Sequence, residues 1–233
     1  MPDQDVAVRK YLTELIGTFV FTFAVIGIVA TPGCGVAGTA LGIGSALMVM
    51  VYASGHISGG HLNPSVSIAA YLRGALPLGD LGPYIVAQLL GALVAFGLGF
   101  GLWHDKYFGQ SLDLNGKIWA ALIAELVFTF ALCYIVLHTA TSKDSAGNSF
   151  YGLAIGFIVT VGVVAVGGIS GASFNPAITF GLMLPGLFSW KFVWVYLIAE
   201  LLGGVGAAYA YKATSLGEQR PRGEQRARRA RPD

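Results

Sequence analysis

The chain has 233 residues, of which 55% are apolar and only 11% charged, with a formal net charge of +2. Its mean hydropathy is +0.69, whereas soluble domains carry roughly 25% charged residues. That composition excludes an ordinary water-soluble enzyme, and nucleic-acid binding does not fit a membrane-embedded body.

The first apolar run, Leu12 to Ala30, is long enough to cross a bilayer core of ~30 Å at 1.5 Å per residue. It carries Glu14 near its head and is too long for a cleaved signal peptide. Glu14, Thr18 and Thr22 recur every four residues and so share one helical face. A second run, Ala37 to Tyr52, is shorter and gains length from small flanking residues. It leads to His61-Leu-Asn63-Pro64-Ser65, where a strong N-cap residue is followed by a proline suited to a first helical turn. This segment predicts a half-helix that begins at membrane depth, where irregular backbone survives only inside protein or along a cavity.

Further spans are predicted over Tyr84 to Trp103, Ile118 to Leu137, Tyr151 to Val166 and Phe192 to Tyr211. The fourth again lines up Glu125, Thr129 and Cys133 on one face. A second Asn-Pro segment, Ser173-Phe-Asn175-Pro176-Ala177, follows the fifth span. The two Asn-Pro pairs lie 112 residues apart (175 − 63). Glu14 and Glu125 differ by 111 (125 − 14), and Gln88 and Glu200 by 112 (200 − 88). One half therefore maps onto the other, and three spans per half turn the second repeat upside down. The fold expected is all-α: six transmembrane helices plus two half-helices in an inverted repeat, with a site where the half-helices meet. The channel domain covers residues 1–216, with repeats at about 10–110 and 117–212, and residues 217–233 form a disordered basic tail.

An acid at membrane depth is costly unless paired, protonated or turned inward. A proton relay is one reading of Glu14 and Glu125. The better reading is structural support, in which each accepts hydrogen bonds from the loop before a half-helix. Gly38 with Gly42, Ala87 with Gly91, Gly152 with Gly156, and Gly203, Gly204 and Gly206 form small-residue faces for close helix packing. Cys34 and Cys133 are expected to serve packing alone, with no disulfide or metal. An even number of spans puts both termini on one side, together with eleven of the fourteen Lys and Arg residues. The positive-inside rule then makes both termini cytoplasmic. The arginine-rich tail reads as an orientation signal or a contact for anionic lipid headgroups.

The run Gly55-His-Ile-Ser-Gly-Gly-His-Leu-Asn63-Pro64, the Glu14-Leu-Ile-Gly-Thr18-Phe19 segment and Gly168-Ile-Ser-Gly-Ala-Ser-Phe-Asn175-Pro176-Ala177 closely resemble the aquaporin, or major intrinsic protein, family. The resemblance implies a plasma-membrane homotetramer with one pore per subunit, open to water and small neutral solutes, with no cofactor and no enzymatic activity. It also implies that His56, His61 and His138 serve packing and loop contacts and bind no metal. Asn63, Pro64, Ser65, Asn175, Pro176 and Ala177 then form the pore-lining motifs, with the asparagine amides donating to water at the midplane. The carbonyls of Gly59 to Leu62 and Gly171 to Phe174 would supply acceptors along the pore. Relatives usually place an arginine after the second motif, where this chain has Ile178. Counting from the asparagines puts Ile43, Val163 (or Val164) and Ala172 beside it, a selectivity filter without charge, imidazole or aromatic ring. Thr179 and Trp194 resemble the water-channel branch. A glycerol facilitator is the alternative within the class, and a non-conducting structural membrane protein the alternative outside it.

Overall fold

The computed structural model describes residues 2–31, 33–107 and 111–215. The basic tail at 217–233, with its expected orientation or lipid role, lies outside the described residues. Six long helices, α1 (Pro2–Ala30), α2 (Gly35–Ser58), α4 (Leu78–Tyr107), α5 (Ile118–Val136), α6 (Tyr151–Ser170) and α8 (Val193–Thr214), enclose two short ones, α3 (Pro64–Arg73) and α7 (Pro176–Met183). A π-helical turn, Leu137–Thr141, extends α5. Among the described residues, six segments are long and apolar enough to cross a membrane. Each long helix leaves large apolar side chains exposed, among them Ile16, Leu41, Leu90, Ile123, Phe157 and Leu202. Apolar surface on every side of the bundle is what a lipid-facing protein presents.

Several helices overrun the apolar runs read from the sequence. α2 continues past Tyr52 to Ser58, and α6 past Val166 to Ser170. Both end where a glycine takes the left-handed conformation, Gly59 at φ 90° and Gly171 at φ 88°. Serine hydroxyls let the helix persist beyond the apolar stretch, as in Ser54 Oγ donating to the Met50 carbonyl at 2.5 Å, and only the glycine stops it.

The helices pair by repeat symmetry: α1 with α4, α5 with α8, and α2 with α6 across the two halves. Glycines permit the approach. A Cβ on Gly91 of α4 would lie 2.5 Å from the Leu15 carbonyl of α1, and one on Gly203 of α8 would lie 2.9 Å from the Leu126 carbonyl of α5. Gly44 and Gly156 face each other's carbonyls at 2.6 and 2.5 Å, so Gly44 belongs to the close-packed set although the sequence did not mark it. Gly38 meets only the side chain of Cys34, and Gly206 has ordinary contact with Phe130. Those two serve no close crossing, because they sit on faces away from the helix contacts. Cys34 is exposed and free while Cys133 is buried and free, so a packing role holds for Cys133 alone.

Candidate functional site

Each half-helix starts on an asparagine in extended conformation, Asn63 at φ −160° and Asn175 at φ −158°. Asn63 Oδ1 accepts from the Ser65 amide at 2.8 Å, and Asn175 Oδ1 from the Ala177 amide at 3.0 Å. Pro64 and Pro176 follow at the first helical position, where a missing N–H costs nothing. The loops that reach these caps are strained: Leu62, Ala172 and Phe174 hold positive φ of 51°, 55° and 54°. Such conformations persist only when the surroundings enforce them.

Buried acids do the enforcing. Glu14, fully buried, accepts at Oε1 from Ser58 Oγ (2.6 Å) and the His61 amide (2.9 Å), and at Oε2 from the Leu62 amide (2.7 Å) and Gln88 Nε2 (2.8 Å). Glu125, equally buried, accepts from the Ser173 amide at 3.1 Å and the Phe174 amide at 2.7 Å. The serines that end α2 and α6 repeat one another: Ser58 Oγ takes the Gly60 amide and Ser170 Oγ the Ala172 amide, each at 3.1 Å. Tyr84 and Tyr196 in turn donate to the carbonyls of Ser58 and Ser170 at 2.7 and 2.6 Å.

The half-helices meet through a reciprocal link. Asn63 Nδ2 donates to the Phe174 carbonyl, and Asn175 Nδ2 to the Leu62 carbonyl, both at 2.9 Å. The Leu62 and Phe174 carbonyls, expected to supply acceptors along the pore, thus each also take one bond from the opposite asparagine. Every primary amide has two N–H bonds, so one remains on each asparagine for a guest.

A cavity of about 870 Å³ runs past this junction. Its wall extends from Val36 and Thr39 in the first turn of α2 to Val136 and Ile155 at the opposite end of the bundle, and it includes Asn63 and Asn175. Ile43, Val163, Ala172 and Ile178 all lie on it, as does Val164. Val163 is buried while Val164 is 56% exposed, so Val163 has the inward position. Among the described residues the lining takes in neither Pro64, Ser65, Pro176 nor Ala177. These are buried behind the asparagines, where the half-helices pack. Trp194 is exposed on the outer surface.

Two residues expected to contribute loop contacts or backbone carbonyls also stand on the wall. His61 lines the cavity and sets its Nδ1 3.1 Å from Ser67 Oγ, and Ser173, its counterpart 112 residues on (173 − 61), also lines it. Both flank an asparagine motif, which was the available signal. His56 is exposed, and His138 packs between the rings of Tyr134 and Tyr211 with centroids 4.3 and 4.7 Å away. At that same end Arg73 ties α3 to its neighbours through Thr141 Oγ1 (2.8 Å), the Thr141 carbonyl (2.7 Å) and Tyr211 OH (2.9 Å).

Six spans, two re-entrant half-helices joined by their asparagines, and a cavity threading the junction define a membrane channel of the aquaporin type. The chain belongs to the major intrinsic protein family, whose sequence profile matches residues 3–211. It is 36% identical over 222 residues to Aquaporin NIP1-1 of Zea mays, covering 88% of this chain and 74% of the relative. It is 34% identical over 230 residues to Aquaporin Z of Rhodopseudomonas palustris, covering 89% of this chain and 93% of that one. Among solved structures it resembles the aquaglyceroporin from Plasmodium falciparum, with a TM-score of 0.73, 28% identity and coverage of 88% and 95% of the two chains.

Proposed function

We propose that the protein is a passive channel for water that also passes small uncharged solutes such as hydrogen peroxide and ammonia, and that Ile43, Val163, Ala172 and Ile178 form its selectivity filter. The observation that carries this reading is the pair of asparagine amides facing a largely apolar cavity from the tips of two half-helices. A water at the midplane accepts the free N–H of Asn63 and of Asn175, so its own protons point away along the pore and proton hopping is broken there. The N-termini of α3 and α7 each carry roughly half a positive charge, which opposes cations at the same place. Apolar walls on either side bind nothing tightly, so transit stays fast. Glu14 and Glu125 act through the loops they hold and take no part in conduction.

Burial of both half-helices among six spans leaves the outer apolar faces for lipid and for neighbouring subunits, in line with a homotetramer in the plasma membrane. The cytoplasmic placement of both termini rests on the charge asymmetry of the sequence. Stopped-flow light scattering on proteoliposomes tests the function, with parallel gradients of an impermeant osmolyte, glycerol, and methylamine at alkaline pH. Water flux above empty vesicles with a low activation energy is expected. Flux equal to empty vesicles refutes the channel, and rapid glycerol entry replaces the water-selective reading with a facilitator.

A further inference from the structure

Equivalent side chains of the two repeats differ in charge at one buried position. Gln88 on α4 donates from Nε2 to Glu14 Oε2 at 2.8 Å and to Ser67 Oγ at 2.9 Å. Its counterpart on α8 is Glu200, fully buried, whose Oε1 accepts the Asn175 amide at 3.1 Å and Thr179 Oγ1 at 2.7 Å. Glu125, the counterpart of Glu14, lies on the adjacent α5 within electrostatic reach. The second repeat thus holds two carboxyls where the first holds a carboxyl and an amide.

The surroundings of Glu200 match those of Gln88 in part, since Gln88 Oε1 and Thr18 Oγ1 are also buried without a hydrogen-bond partner. They differ at Ser65, whose counterpart in the second half-helix is Ala177. Glu200 Oε2 is buried with no hydrogen-bond partner, and so are Ser65 Oγ of α3 and Thr129 Oγ1 of α5. A Cβ on Gly204, one turn beyond Glu200, would lie 2.7 Å from the Ser65 carbonyl, and one on Gly203 would lie 2.9 Å from Thr129 Cβ. Three unpartnered polar atoms from three helices therefore gather around one turn of α8, behind the start of both half-helices. A hydrogen-bonded path joins this turn to the cavity: Ser173 on the wall, Ser173 Oγ to Thr179 Oγ1 at 2.7 Å, and Thr179 Oγ1 to Glu200.

We propose that Glu200 is the residue that sets the charge selectivity of the pore, as a proton-binding carboxyl at the junction of the two half-helix N-termini. With its proton, Glu200 is neutral, as Gln88 is, and leaves the positive helix ends unopposed. When the proton passes to cavity water, the carboxylate lies one hydrogen bond from the backbone of Asn175 and offsets those ends. Cation exclusion then weakens as pH rises, in a filter that has no arginine to maintain it. The titratable groups facing Glu200 are Glu125 from α5 and Tyr196 from its own helix. α3 and α7 bring Ser65 and Thr179, while Arg73 and His138 meet α8 at its far end, around Tyr211.

This inference rests on the channel reading, and its test separates the two. Water flux and electrogenic proton flux are measured on the same proteoliposomes for wild type and Glu200→Gln, from mildly acidic to mildly alkaline pH. The ratio of proton to water flux is expected to rise with pH in wild type, and to be about tenfold lower and flat in the variant at the alkaline end. Equal ratios with equal pH slopes overturn the proposal, whereas absent water flux in wild type overturns the channel reading instead. Infrared pH-difference spectra of the wild-type protein supply an arm independent of conduction and of variant folding. A protonated-carboxyl carbonyl band that disappears as pH rises and shifts in Ser65→Ala supports the assignment, and its absence refutes it.

Discussion

Replacing Glu14 should damage the fold more than any other conservative change at the half-helix loops. Its two oxygens accept four donors, two of them backbone amides with no alternative partner in a fully buried loop. In Glu14→Ala the His61 and Leu62 amides lose their acceptor, and an unsatisfied buried donor costs roughly 1–3 kcal/mol, so the pair costs about 2–6 kcal/mol. Ser58 and Gln88 lose a partner too, though side chains rotate where backbone does not. Glu14→Gln keeps one oxygen for two donors but turns an NH2 toward the others, which leaves one amide unmet and brings donors face to face at about 1–3 kcal/mol. Against a total stability of about 5–15 kcal/mol, the alanine variant is close to unfolding and the glutamine variant survives. Thr22→Val is the control, because the Thr22 hydroxyl already lacks a partner and its removal should be nearly neutral. Unfolding in detergent, followed by circular dichroism, ranks the three. If Glu14→Ala unfolds within roughly 0.5 kcal/mol of wild type, the loop is held by something else.

Asn175→Asp should admit cations or slow water, since a carboxylate reverses the potential at the midplane; unchanged water flux with intact cation exclusion removes that mechanism. Ile178→Arg should depress hydrogen peroxide and methylamine passage relative to water by about one to two decades, the cost of desolvating donors at the narrowest point. Identical flux ratios in both proteins would place Ile178 outside the filter. Gly156→Val should prevent stable folding, because its Cβ falls 2.5 Å from the Gly44 carbonyl, whereas Gly101→Val, with open space around it, should express normally. Yield and thermal stability in detergent decide between them.

The spans and half-helices were legible because their signals are local: apolar runs, an N-cap, and a proline that fits only a first turn. The repeat spacing also carried Glu14 and Glu125 to their loops, since an acid at membrane depth demands donors. What stayed hidden depends on contacts across the chain. Nothing local in Asn63 reveals that its amide reaches the Phe174 carbonyl, 111 residues away. The full reach of α2 past its apolar run depends on contacts as well, since Ser54 bonds back to the Met50 carbonyl while Ser58 gives its proton to Glu14, 44 residues away. Glu200 was read only as a marker of the repeat. The difference between Gln88 and Glu200 gains meaning once Ser65, Thr129 and Gly204 are seen around the same turn.

The reciprocal bonds between Asn63 and the Phe174 carbonyl, and between Asn175 and the Leu62 carbonyl, also bear on how the chain is made. Each repeat supplies half of the other's midplane, so the first half cannot complete its own interior. At a synthesis rate of about 5–20 residues per second, the 112 residues between the asparagines leave Asn63 and Leu62 without their partners for roughly 5–20 s. During that interval the first re-entrant loop sits in the bilayer with exposed polar backbone, a state that invites either withdrawal from the membrane or help from the insertion machinery. Slowing translation ahead of Asn175 should therefore raise the misinserted fraction, and supplying the second repeat as a separate chain should lower it.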